Sequence, residues 1–73
     1  MNDKWLIGMR DKLATAPEDQ MTEELRQKVA AWSAPPTRDE IVETRNYAAY
    51  ASLSSDFVIG VFNALIDRFD RES

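Results

Sequence analysis

The sequence contains neither cysteine nor histidine. Without cysteine there is no disulfide and no thiolate metal site. Losing both residue types also removes the commonest nucleophile and the commonest general base. Glycine is scarce: Gly8 and Gly60 stand far apart, so no glycine-rich phosphate loop can form. The longest apolar stretch, Phe57 to Phe62, is far too short to span a bilayer. Met1-Asn2-Asp3-Lys4 lacks the basic segment and apolar run of a secretory signal, so none is expected. A small chain without cysteine fits a reducing, cytoplasmic setting.

What is present is short and acidic. The 73 residues suffice for one helical domain, 1–73, with a modest core, and self-association is the expected way to bury more surface. Thirteen acidic residues against nine basic ones give a net charge of −4, which argues against affinity for nucleic acid or an anionic membrane.

Helical spacing runs through four segments. In residues 3–14, Trp5, Leu6, Met9 and Leu13 share one face, Ile7 lies off it, and Gly8 lowers helix propensity. Pro17 then disfavours helical geometry at Ala16, and Thr15 with Glu18 has capping-box spacing. The second segment begins near 18 or 23 and runs to 33, with Met21, Leu25, Val29 and Trp32 as a narrow stripe. Glu24 and Lys28 are spaced as a surface pair, and Ala34-Pro35-Pro36 ends the helix. The third starts at Thr37-Arg38-Asp39-Glu40, where Thr37 and Glu40 form a capping box, and extends to about 52. The fourth follows a cap at Ser54, Ser55 or Asp56 and runs to about Arg71, with Val58, Phe62, Leu65 and Phe69 at helical spacing. Two alternatives compete with this reading: a strand over Phe57–Phe62, where β-formers cluster, and one bent helix from 38 to 71. The expected fold is therefore all-α, a small three- or four-helix bundle completed by self-association.

The faces suggest where a partner would sit. The apolar residues of the fourth helix, Ile59 and Ile66 among them, cover roughly 200° of the wheel, more than one neighbouring helix can cover. Either several helices of the same chain surround it or a second subunit does, and Ile59 and Ile66 mark the apolar edge. On the third helix Ile41, Val42, Ala48, Ala49, Ser52 and Leu53 make a small-residue face, into which Arg45 projects. A buried guanidinium there needs a partner, with Asp56 and Asp67 as candidates, unless it snorkels outward along its stem. Tyr47 and Tyr50 lie on the opposite side with Glu43 between them. They contact a partner or second subunit, unless the first two helices fold over them. Gly60 and Ala64 have the spacing of a close helix crossing, expected within the fold.

Candidate chemistry is sparse. Ser54-Ser55-Asp56 has no histidine or suitable lysine base and reads as a helix cap. Asp39 with Glu43, and Asp67 with Asp70, could share an ion but read as solvated faces. Arg38, Arg45 and Asn46 are mixed with Asp39, Glu40 and Glu43, so direct reading of duplex DNA is not expected. No enzyme activity, cofactor, metal or membrane attachment is expected. The preferred function is a non-catalytic protein-binding module or regulator acting as a homo-oligomer, its interface drawn from Glu43, Arg45, Tyr47, Tyr50, Ile59 and Ile66. The alternatives are an acidic inhibitor filling the basic groove of a nucleic-acid enzyme, and a nucleotide binder. The latter would use an inter-subunit pocket in which Trp5, Tyr47, Tyr50 and the arginines stack and pair.

Overall fold

Capping side chains decide where the helices begin. The computed structural model describes residues 2–72. Its four helices are α1 (Asp3–Ala14), α2 (Glu23–Ala30), α3 (Arg38–Ala51) and α4 (Asp56–Glu72), with no strand among the described residues. Asn2 Oδ1 accepts from the amides of Lys4 (2.8 Å) and Trp5 (3.3 Å), satisfying donors that have no partner within the helix. Thr22 Oγ1 accepts from Leu25 N at 3.3 Å. Thr37 and Glu40 form the full capping box, with Glu40 N donating to Thr37 Oγ1 (3.2 Å) and Thr37 N donating to Glu40 Oε1 (2.9 Å). Ser55 Oγ accepts from Val58 N at 3.3 Å and so is the cap among the three candidates before α4.

Two expectations about the helix boundaries need correction. Thr15 caps no following helix: its Oγ1 donates to Asp11 O at 3.0 Å and closes the end of α1 instead. Pro17 O accepts from Gln20 N and Met21 N, making a turn, so the later of the two expected starts holds and α2 begins after Thr22. Met21 therefore lies ahead of α2, yet it is buried at 1% exposure. At its far end α2 stops at Ala30 rather than 33, because Trp32 N turns back to Val29 O at 3.0 Å ahead of the prolines. The single bent helix over 38–71 is excluded by Ser52, whose left-handed backbone (φ 55°) ends α3. Residues 57–62 are helical, which rules out the strand.

α1 with α2 and α3 with α4 form two helical hairpins, linked through residues 31–37 by the packing of α2 on α3. The Ala34–Pro35 peptide in that link is cis, and Pro36 is buried. The backbones of α1 and α4 stay further apart than those of the packed pairs among the described residues, and only side chains meet between them. The radius of gyration, 11.2 Å, matches the value of about 11 Å expected for a compact chain of this length. The hairpins are joined at one end by a clip between loops. Thr22 N donates to Leu53 O (3.0 Å), Ser55 N to Gln20 O (2.8 Å), and Ser55 Oγ to Gln20 Oε1 (2.5 Å).

The core is one cluster in which Phe62, Met21, Leu25, Ile41 and Val29 are the largest fully buried side chains. Trp32, 5% exposed, meets Phe62 edge-on at 5.9 Å between ring centroids. Burying an indole requires a partner for its N–H. Thr44 supplies it: Trp32 Nε1 donates to Thr44 Oγ1 at 2.8 Å, and that hydroxyl donates to Glu40 O at 2.8 Å. Thr44 is thereby drawn into the core, whereas Ala49 and Ser52, expected on the packed face, are exposed. Arg10 closes the end of α2 from outside by donating to Ala30 O (2.8 Å) and Trp32 O (3.1 Å), and Arg26 does the same for Ala16 O (3.1 Å) and Met21 O (3.0 Å).

Two outcomes follow for stability. Thr44→Val keeps the shape but leaves the buried indole N–H unpaired, which should cost about 1–3 kcal/mol in thermal or urea unfolding. Thr44→Ser keeps the hydroxyl and should lose less, and equal losses would deny the hydrogen bond its role. The second outcome concerns Glu40. Burial pushes its carboxyl up, but the amides and hydroxyls of Thr37 and Ser33 outweigh that and hold it below the ordinary range. Its contribution is therefore present above the unfolded carboxyl pKa and is lost as pH falls through the lower folded value. Glu40→Ala should lower the melting temperature at neutral pH, and the difference from wild type should shrink by about pH 3. A gap that stays constant down to that pH would refute the linkage.

Candidate functional site

The outward side of α3 carries Tyr47 and Tyr50, three residues apart and so neighbours on the helix surface. Tyr50 stands clear of the fold at 91% exposure. Tyr47, 39% exposed, is held against α2: its hydroxyl donates to Glu24 Oε2, and Lys28 Nζ lies 4.5 Å from its ring centroid. The expectation that the first helices could fold over the rings thus applies in part to Tyr47 and not to Tyr50. Glu43 is exposed beside them, lining a shallow 270 Å³ depression with Lys28, Glu40 and Tyr47. The surface is aromatic and acidic, and its aromatic part is preset, because Tyr47 is braced at both its hydroxyl and its ring.

Arg45 lies half-buried on the side of α3 toward α4. Neither Asp56 nor Asp67 receives it. Its guanidinium donates to Asn46 Oδ1 (2.8 and 3.1 Å) and Asn63 Oδ1 (2.9 Å), so amide carbonyls fill the role expected of a carboxylate. Asp67 instead pairs with Arg71 within α4, and Asp70 pairs with Arg38 across to α3 at 2.7 Å. Both carboxylates of that candidate ion site are engaged with arginines. No three carboxylates converge to hold a metal among the described residues, and no helix among them is long and apolar enough to cross a membrane.

The apolar arc of α4 is largely covered by its own chain. Val58, Phe62, Leu65 and Ile66 are buried, and Ile59 is half-buried against the core. Ile59 and Ile66 therefore face the packed side near α3, and the apolar surface left open lies at the opposite edge of α4. There Phe57 projects at 73% exposure and Trp5 at 38%. Between α1 and α4 runs a groove in two connected parts. One, about 550 Å³, is lined by Trp5, Val61, Ala64 and Arg68; the other, about 350 Å³, by Ala16, Pro17 and Phe57; Met9 and Val61 border both. Arg68 stacks over Trp5 at 4.5 Å from the ring centroid. Gly60 forms no close crossing within the fold, since a Cβ placed there meets nothing within 4 Å.

Sequence spacing brought out the tyrosine face but not the groove, because a groove depends on which helices lie side by side. Phe57 is one of the apolar residues of α4, yet only its place at the first turn of the helix reveals it as a projecting ring. No protein family, curated protein or solved structure matches this chain.

The bracing of Tyr47 is open to titration. Its hydrogen bond to Glu24, then the charge of that carboxylate and the slight burial, raise the phenol above its ordinary range. A raised folded pKa favours the fold below the unfolded tyrosine value and loses that contribution as pH rises past about 10. Absorbance-detected titration should show one tyrosine ionising late, and Glu24→Gln should bring it down. An unchanged curve in that variant would mean that the contact does not persist in solution.

Proposed function

We propose that the chain is a non-catalytic protein-binding module, an acidic regulator that offers the tyrosine face of α2 and α3 to a cationic surface on a partner protein. The observation that carries this reading is Tyr50, a large aromatic ring 91% exposed on a regular helix. Tyrosine presents a rigid apolar ring with a polar tip and is enriched among the residues that dominate binding energy. Tyr47 beside it already holds Lys28 over its ring, the contact that an incoming lysine or arginine would make with Tyr50. Glu24 and Glu43 flank the rings, and the net charge of −4 gives the whole molecule the sign that attracts such a partner. A basic groove on a nucleic-acid enzyme is one surface of this kind.

Tyr50→Ala tests it cleanly, because removing an exposed side chain should leave the melting temperature nearly unchanged. A partner captured by the wild-type chain should bind the variant at least about fivefold more weakly. Its affinity for the wild-type chain should also fall as salt is raised. A captured protein that binds Tyr50→Ala and wild type equally, or is indifferent to salt, would rule the tyrosine face out.

A further inference from the structure

We propose that the groove between α1 and α4 is closed by a second copy of this chain, with the two α4 helices crossing antiparallel about a two-fold axis. The axis passes near Val61 and Ala64, and each Phe57 enters the Trp5–Arg68 end of the other groove.

The argument begins with self-complementarity. An interface built on a two-fold axis must carry both a feature and its match on the same surface. The exposed edge of α4 does so. Phe57 projects at its N-terminal end, and the larger part of the groove opens at its C-terminal end beside Trp5 and Arg68.

Gly60 supplies an independent reason. A glycine inside a helix is destabilising relative to alanine. Gly60 ends no helix, adopts no positive φ and makes room for nothing in its own chain. Gly60 and Ala64 are both exposed on the edge that the crossing would use, and in the antiparallel register each faces the other's counterpart. A close approach by a second backbone is what this pair permits. The tyrosine face lies on α2 and α3, outside this contact, so the dimer and the partner reading stand or fall separately.

Sedimentation equilibrium on the full chain should show a monomer–dimer equilibrium at micromolar concentration. Phe57→Ala should raise the dissociation constant at least about thirtyfold. Gly60→Leu should abolish the dimer while circular dichroism reports an intact helical monomer, since the added side chain has open space around it. Tyr50→Ala should assemble like wild type. Because the chain has no cysteine, single thiols can report the register. An oxidised mixture of Gly60→Cys and Ala64→Cys chains should yield the mixed disulfide ahead of either symmetric one, as bridging needs Cα atoms within about 7 Å. A monomer at every concentration, a dimer indifferent to Phe57→Ala and Gly60→Leu, or a preference for symmetric disulfides would each overturn the proposal.

Discussion

Everything in this fold hangs on the clip between the turn before α2 and the turn before α4. Thr22 makes two hydrogen bonds there and Ser55 three. Thr22 caps α2 with its hydroxyl and donates its amide to Leu53 O. Ser55 caps α4 with its hydroxyl while its amide and hydroxyl both reach Gln20. The first residues of two helices are thus fixed relative to each other by hydrogen bonds between their turns, in addition to side-chain packing. Met21 and Ser54 face each other across this bridge, and Met21 enters the core from it. A chain this short cannot rely on apolar area alone. Joining the hairpins at their ends removes freedom that packing would otherwise have to overcome.

The same economy governs the arginines. Exposed ion pairs such as Arg71 with Asp67 contribute little, because water screens them. Arg10 and Arg26 act differently. Each is mostly covered and donates to backbone carbonyls left over at a helix end or in the turn between helices. Such carbonyls must find donors somewhere. A long side chain from the neighbouring helix satisfies them and ties α1 to α2 at the same time. Cationic residues are thereby committed inside the first hairpin. Uncommitted acidic residues such as Glu43 remain on the outer surface, and so the tyrosine face is framed by carboxylates.

The parts of the fold that depend on neighbours in sequence could be read from the chain, and the parts that depend on neighbours in space could not. Thr37 with Glu40 is a local pattern, and it forms as written. Thr15 with Glu18 has the same spacing, but Pro17 bends the chain and the hydroxyl turns back to Asp11. Asn2 ahead of Asp3 was a readable helix start that spacing analysis passed over. Helical wheels gave the correct set of apolar residues on α4 but not which edge would stay open. α3 covers the side carrying Ile66, and α1 stays too distant to cover Phe57. Thr44 was invisible for a related reason. Nothing local marks a threonine for burial until an indole from another element needs an acceptor.

The two proposed surfaces bear on each other through symmetry. α1 and α4 flank the open side of the molecule, and α2 and α3 are the pair packed together across from it. A dimer formed through the groove would leave both tyrosine faces outward, one on each copy. Two copies of one binding surface on a rigid body convert a weak single contact into a strong double one wherever a partner repeats its basic site at matching spacing. A face built around one exposed ring and a few carboxylates has modest affinity by itself. Doubling it would supply what such a small surface lacks, and would do so with residues the monomer leaves unburied.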